Sequence, residues 1–428
     1  MTETNRRWTY TSEWHRFTRS LLIVCTICIS AMYGHSEGMD SIKSPSRRIL
    51  LRDTMRSTKP VDVLDIVKII LNFKKNPFHQ TKANESGPFY IAYVYPGYTQ
   101  VTRATIDGAF NMSFRPKKSP EAKLSFIYNY FQYTQNRQFI VISLSTIYSN
   151  DNKWVFPGEL RYFNFPTTTY GLGSSTLPSA AFGIDYSHFR FYRYFLRRVV
   201  PNTFIGIGYN VDYHWDIQDY NISKGVQDGF IKYGYRRTSS SVGPSVNFLY
   251  DTRDDPNQPY FGTYVNIQFI SHLKPLGSNS NWNSMVIDVR KFIPLTKKWY
   301  VDLCFWGLAW MTLNGNPPYL DLPSIGWDSY NNSGRQYAAG RYTGKNMLYF
   351  ETELRFNITP NGLFGGVVFG NLETFTEANG NFFGPVQPGA GAGLRIMFNK
   401  NTRSNTCVDY GFGSHHSGGV ATNLNDIF

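Results

Sequence analysis

One strictly alternating stretch constrains the fold of this sequence more than any other feature. In FIGIGYNVDYHWDI, residues 204–217, every second side chain is apolar or aromatic, and the residues between them are small or polar after the first position. Successive side chains of a β-strand point to opposite faces, so this stretch predicts a strand with one apolar and one polar face. It is about twice as long as the usual strand of a soluble protein.

The same two-faced pattern recurs along most of the chain. In MLYFETELRF, residues 347–356, Leu348 and Phe350 share the apolar face, whereas Glu351, Glu353 and Arg355 share the polar one. Sixteen such runs are predicted, near residues 88–96, 103–115, 122–134, 137–149, 154–163, 181–197, 202–217, 240–251, 262–273, 282–293, 298–312, 345–357, 363–375, 388–399, 404–413 and 420–428.

The connections between these runs alternate in length. Short ones, near residues 150, 198 and 359, follow even-numbered runs, and the longest, 164–180, 218–239 and 313–344, follow odd-numbered runs. A soluble sandwich would bury its apolar faces in a core. A membrane barrel with a wet interior typically has short turns at one end, long loops at the other and charges on the polar faces of its strands. We therefore predict an all-β protein, a 16-stranded antiparallel transmembrane β-barrel.

The first 87 residues have a different character. Four arginines precede LLIVCTICISAM, residues 21–32, and small or polar residues follow, which predicts a secretory signal peptide over residues 1–36. An anchor helix is the alternative, but the apolar run is short for a membrane span. Residues 37–87 are predicted to form a periplasmic extension with one amphipathic helix in PVDVLDIVKIILNF, residues 60–73, and residues 88–428 to form the barrel.

Composition narrows the classes of function. Aromatic residues make up 17% of the chain, and its mean hydropathy is −0.34, which fits strands better than a bundle of membrane helices. Lys and Arg number 43 against 30 for Asp and Glu, an excess that suits an anionic lipid surface or a solvated rim in an exported chain. No basic aromatic module indicates nucleic-acid binding.

Candidate catalytic residues are few. His188, His214 and His272 fall in predicted strands, but none belongs to a recognisable nucleophile motif with a serine and an acid, so we predict no enzyme and no cofactor. Beyond residue 36 the cysteines are Cys304 and Cys407, which do not make a disulfide framework.

The most charged stretch lies between two predicted strands, in YDTRDDPNQPYFGTY, residues 250–264. Asp251, Arg253 and Asp254 precede Pro259 and Gly262. A calcium loop would need carboxylates at alternating positions, and this spacing lacks them. The proline and glycine residues supply the chemistry of a chain reversal instead. We predict a periplasmic turn and no metal site.

This stretch and three others resemble a known superfamily. LYDTRDDPNQPYFGTY, residues 249–264, is similar to the Asp-x-Arg-Asp, Pro, Gly signature of the outer-membrane assembly-factor barrels, the BamA/TamA-like insertase barrels with the bacterial surface antigen domain. SGRQYAAGRYTGKNMLYFETELRF, residues 333–356, resembles their inward-folded sixth extracellular loop and the strand after it. FPTTTYGLG, residues 165–173, matches barrel-only members. The run from 389 to 413 and the final aromatic residue, Phe428, are similar to the last strands and the C-terminal sorting signal.

The resemblance implies roles for particular residues. It places Arg335, Gln336 and Tyr337 on a loop inside the barrel, with acidic partners on late strands. Gln336 stands where the family has a glycine, and the strand that carries the family's acidic motif reads Phe369, Gly370, Asn371, Leu372, Glu373. The candidate lumen partners are Glu351, Glu353, Asn371 and Glu373, and we expect Glu373 to pair with Arg335.

The resemblance also implies a function and a location. Members sit in the outer membrane of Gram-negative bacteria, so we expect a non-enzymatic barrel that assists insertion, assembly or export of outer-membrane or surface proteins. Its expected partners are outer-membrane lipids, client proteins and helper lipoproteins, without nucleic acid. We expect the chain to lack the family's soluble POTRA arm, because residues 37–87 are too few for even one such domain. The alternative is a channel-forming or structural barrel without insertase activity.

Overall fold

The structure is a computed structural model. It describes residues 60–70, 89–99, 103–115, 123–164, 166–221, 228–296, 300–329, 331–380, 382–400, 403–424, 426 and 428. The predicted signal peptide, residues 1–36, lies outside these ranges, as do residues 37–59 and 71–88. None of the helices in the described part of the chain is long and apolar enough to cross a membrane.

Sixteen long strands and one of three residues form a single antiparallel sheet. They are β1 Phe89–Thr99, β2 Arg103–Phe114, β3 Ser125–Thr134, β4 Phe139–Tyr148, β5 Trp154–Asn164, β6 Thr167–Thr169, β7 Phe182–Val200, β8 Thr203–Asp219, β9 Ser239–Asp251, β10 Gly262–His272, β11 Trp282–Thr296, β12 Val301–Gly315, β13 Asn346–Asn357, β14 Phe364–Phe375, β15 Gln387–Asn399, β16 Ser404–Gly413 and β17 Gly418–Leu424. The α-helices of the described residues are α1 Val63–Ile70 and α2 Gly229–Gly234.

The sheet is a meander in which each long strand pairs with the next long strand along the chain. The pairing runs from β1 with β2 through to β16 with β17, and the short β6 pairs with the start of β7. The predicted fold class, a sixteen-stranded antiparallel transmembrane barrel, is confirmed. Its strands are long because each must span the apolar layer of a membrane at a tilt.

The two faces of the sheet have opposite polarity. In β8 the exposed fraction of Ile207 is 66%, whereas Asp212 and His214 on the other face are 2% and 1% exposed. Buried polar residues therefore line the interior, and exposed apolar residues cover the outside, as the strict alternation predicted. This arrangement is the reverse of a soluble sandwich.

The last strand differs from its predicted extent. The pattern predicted a strand over residues 420–428, but β17 ends at Leu424, and both Asp426 and Phe428 are buried. Strands β11 and β12 contribute aromatic rings that contact Phe428, and β13 and β15 contribute arginines that pair with Asp426. These contacts replace continued strand pairing.

Candidate functional site

The connection between β12 and β13 folds into the barrel instead of standing above it. We call residues 316–329 and 331–345 the inward loop. Its side chains Ile325, Tyr337 and Tyr342 are buried in one apolar cluster with Trp306 and Phe375 of the barrel wall. A long connection without secondary structure is best stabilised by packing of this kind. The inward loop thus belongs to the core of the protein.

Arg335 anchors the inward loop to late strands. Its Nη2 atom lies 3.0 Å from Glu353 Oε1 and also pairs with Glu351, and its Nη1 atom lies 2.6 Å from Asp409 Oδ2. The guanidinium also covers the ring of Phe369, 3.8 Å from its centroid. Burial by itself lowers the pKa of Arg335. The three carboxylates have the larger opposite effect, so the pKa of Arg335 lies well above its usual range.

Further arginines and one more acid extend this contact into an ion-pair ring. Glu353 also pairs with Arg355 (2.7 Å) and Arg395 (3.3 Å), and Arg395 pairs with Asp409 as well. Asp426 bridges Arg355 and Arg395. The ion-pair ring therefore contains Arg335, Arg355, Arg395, Glu351, Glu353, Asp409 and Asp426, all buried. It joins the inward loop to β13, β15, β16 and the residues after β17.

Gln336 and Asn371, the two residues that depart from the pattern of the resemblance, are hydrogen-bonded to each other. Gln336 donates from Nε2 to Asn371 Oδ1 at 2.7 Å, and Asn371 donates from Nδ2 to Gln336 Oε1 at 2.9 Å. A Cβ atom on Gly389 would lie 2.0 Å from Gln336 Nε2, and one on Gly411 would lie 2.8 Å from Gln336 Cβ. The glycines of β15 and β16 thus make room for a side chain where the resemblance implies none.

Tyr337 completes the motif. Its hydroxyl donates to the carbonyl oxygen of Pro388 (2.8 Å) and accepts from the backbone amide of Ser414 (2.9 Å). Arg335 thus binds the inward loop to β13 and β16, and Gln336 binds it to β14. Tyr337 binds it to β15 and to the residues after β16.

The structure does not bring Glu373 to Arg335, and this expectation needs correction. The register places Glu373 opposite Tyr349, two residues beyond the pair of Glu351 with Asn371. Both carboxylate oxygens of Glu373 are buried without a hydrogen-bond partner among the described residues. Asp409 takes the predicted place. The alternation of β16 puts it on the polar face, a signal that sequence reasoning missed.

A second anchor holds the inward loop to the opposite wall. Arg161 of β5 donates to Asn331 Oδ1 (2.9 Å) and to the carbonyl oxygen of Asp328 (3.1 Å). Ser241 of β9 donates to Asp321 Oδ2 at 2.6 Å. Burial raises the pKa of Asp321, which lies in the loop, to about 8. The inward loop therefore spans the interior between β5–β9 and β13–β16.

The three histidines lie on β7, β8 and β10, and each packs against another ring. His188 and His214 stack with ring centroids 4.1 Å apart, and His272 stacks on Trp282 at 3.8 Å. Ser239 Oγ and Asp321 Oδ1 lie 3.4 and 3.7 Å from the same atom, His214 Nδ1. A catalytic triad needs the serine and the acid on different ring nitrogens. This geometry does not make His214 a triad base.

The charged turn between β9 and β10 satisfies its own backbone. Asp254 Oδ1 accepts from the amides of Tyr260 (2.8 Å) and Phe261 (3.2 Å), and Asp251 accepts from the Arg253 guanidinium (2.8 Å). Gly262 has φ +118°, and a Cβ there would lie 2.5 Å from Thr252 O. Pro259 lies between these residues, within the turn.

The rest of this turn also has structural roles. Asp255 accepts from the amide of Asn257, and burial raises the pKa of its carboxyl group. In the described part of the chain, no group of three or more His, Cys, Asp and Glu side chains is arranged to hold a metal ion. The carboxylates of the turn position its backbone instead.

The turns at this end of the barrel are tied together and carry α1. Arg403, in the turn after β15, donates to Asp254 Oδ2 at 2.7 Å. Lys400, three residues before Arg403, donates its backbone amide to Asp62 (3.0 Å) and its ammonium to Asp65. Asp62 also accepts from the amide of Asp65, which caps the first turn of α1. The helix of the N-terminal extension thus docks on the short-turn end.

Comparison with known proteins supports the fold. No family model and no curated protein matches the chain. Among solved structures, CdiB from Acinetobacter baumannii is similar with a TM-score of 0.51 and 10% identity, over 79% of this chain and 59% of that one. CdiB from Escherichia coli gives 0.51 and 11%, over 79% and 62%. BamA from Haemophilus ducreyi lacking POTRA domains 1–3 gives 0.48 and 14%, over 79% and 69%.

These identities are low, and the chain spans about three fifths of the two CdiB chains. The similarity to CdiB therefore shows a shared barrel fold.

Proposed function

We propose that this protein is an outer-membrane barrel of the BamA/TamA-like superfamily that assists insertion, assembly or export of other outer-membrane or surface proteins. The proposal is supported by the CdiB-like fold together with the sequence motifs of the turn and the inward loop. Client polypeptides, outer-membrane lipids and helper lipoproteins are its proposed partners. A signal peptide over residues 1–36 delivers the chain to a Gram-negative periplasm.

The observation that carries the proposal is the mismatch between the first and last strands. β1 has 11 residues and β17 has 7, so β17 can pair with at most seven positions of β1. At least four positions of β1 thus exceed the length of β17, and we propose that this part of the edge binds an incoming strand, because unpaired strand edges add strands readily.

The inward loop argues against the alternative of an open channel. It is packed into the wall at Ile325 and Tyr342 and is held by ion pairs or hydrogen bonds on both sides of the interior. A barrel of sixteen strands leaves room for solute passage only when its interior is clear. Because the inward loop occupies the interior, binding of client polypeptides at the strand edge is favoured over transport of solutes through the centre.

Photo-crosslinking in cells tests the proposal. A benzophenone side chain replaces Tyr90 on β1, and a matched control replaces Ile207 on β8, which is also exposed on the outer face. We expect transient adducts between position 90 and newly made outer-membrane proteins, and none at position 207. Equal adducts at both positions, together with unchanged outer-membrane protein levels after depletion, would refute the proposal.

A further inference from the structure

The interior of the barrel contains a site that the chain fills with its own residues Asp426 and Phe428. The ring of Phe428 is 3% exposed and lies 5.4 Å from the ring centroid of Trp306 and 6.2 Å from that of Phe292. We call these two buried residues the inward pair.

The acidic member of the inward pair is held by two buried arginines. Arg355 Nη1 lies 3.2 Å from Asp426 Oδ2, and Arg395 Nε lies 3.1 Å from Asp426 Oδ1. Arg355 also donates from Nη2 to the backbone oxygen of Phe428 at 2.8 Å and lies 5.3 Å from the centroid of its ring. The site thus recognises a carboxylate, a backbone carbonyl and an aromatic ring together.

The receptor side of this site belongs to the barrel wall, and the occupant does not. Phe292, Trp306, Arg355 and Arg395 lie on β11, β12, β13 and β15. Residues on paired strands hold their geometry better than residues on loops. The inward pair lies beyond Leu424, where β17 ends. A preformed site is therefore filled by residues that lie outside the sheet pairing.

We propose that this is a peptide-binding site for an acidic residue followed two positions later by an aromatic residue, and that the inward pair is its internal ligand. A polypeptide with the same pattern competes for it. Charge complementarity supports this ligand class, because two guanidinium groups are directed at one carboxylate. The identification of the natural ligand as a client polypeptide rests on the proposed function, whereas binding itself does not.

Cys304 provides a reporter within the site. It is 0% exposed and belongs to the same apolar cluster as Phe292, Trp306 and Phe428. Removal of the inward pair opens the cluster, so the thiol becomes accessible to alkylation. The substitution Cys407→Ser removes the other cysteine beyond residue 36, so alkylation in that part of the chain reports on Cys304.

The test measures the alkylation rate of Cys304 by a small maleimide in the full chain, folded in detergent. Asp426→Asn with Phe428→Ala removes two recognition elements, and we expect the rate to rise about tenfold or more. The synthetic peptide ATNLNDIF, the sequence of residues 421–428, should then restore protection. The peptide ATNLNNIA, which lacks the acid and the ring, should not.

Receptor variants supply the matched control. Arg355→Gln should abolish protection by ATNLNDIF. Arg403→Gln, which removes the arginine that pairs with Asp254 in the turn between β9 and β10, should not. Asp426→Asn alone keeps the side-chain shape. It serves as a second variant if the double substitution impairs folding, as judged by heat-modifiable migration. Equal protection by both peptides, or none by ATNLNDIF in a folded variant, overturns the proposal whatever the outcome of the cellular crosslinking.

Discussion

Replacement of Arg335 by glutamine is the sharpest test of the inward loop. Glu353 would keep Arg355 and Arg395, and Asp409 would keep Arg395, whereas Glu351 would lose its arginine. Loss of one partner from a buried ion pair costs about 3–5 kcal/mol, since the other charge remains buried. The undocked fraction of the loop should therefore rise by about 150-fold to about 5,000-fold.

Single-channel recording in planar bilayers measures this fraction, because the docked inward loop occupies the interior. We expect Arg335→Gln to convert a nearly silent barrel into one with frequent open events. Glu351→Gln added to Arg335→Gln removes the stranded charge and should restore much of the closed state. This double variant separates the stated cause from a general loss of folding.

Arg403→Gln is the control, because Arg403 also forms an ion pair but does so with Asp254, in the turn between β9 and β10. It should leave the conductance of the protein unchanged. The reasoning fails if Arg335→Gln stays as silent as the control, or if Glu351→Gln deepens the defect instead of relieving it.

Three further predictions concern other contacts. Gly389→Ala forces its Cβ toward the amide of Gln336 and should lower the free energy of unfolding by about 1–3 kcal/mol, measured from the heat-modifiable migration of the folded barrel. Gly307→Ala is the control and should not change this free energy, because no atom lies within 4 Å of its added Cβ. Asp62→Ala should speed hydrogen exchange in α1, because loss of a helix cap costs about 1 kcal/mol; unchanged exchange would contradict its role. The docked loop favours the protonated carboxyl of Asp321, whose pKa is raised to about 8, so docking should weaken as pH rises from about 4 through 8. Asp321→Asn should abolish this dependence of channel opening on pH.

The strands could be predicted because their signal is local. A period of two over ten or more residues indicates a two-faced strand regardless of its neighbours. The exception, the run at 420–428, shows what a local pattern omits. Asp426 and Phe428 continue an acceptable strand sequence, but their contacts are with Arg355, Arg395 and Trp306, which lie far away in the chain.

The candidate site could be predicted in part. The motif pointed to Arg335 on an inward loop, and the polar face of β13 pointed to Glu351 and Glu353. The choice between Glu373 and Asp409 depends on the stagger of β14 and β16 relative to the loop, which spacing along the chain does not determine. The pairing of Gln336 with Asn371 likewise required the register.

The ion-pair ring couples the end of the sheet to the inward loop. Asp426 shares Arg355 and Arg395 with Glu353, and Glu353 is also a partner of Arg335. When Asp426 leaves, the two wall arginines keep fewer carboxylates and compete more strongly for Glu353 and Asp409. Arg335 then holds the loop less tightly, because charges in a buried network share their partners and do not act as independent pairs. A ligand that replaces Asp426 restores the missing carboxylate, so occupancy of the site and docking of the inward loop are linked.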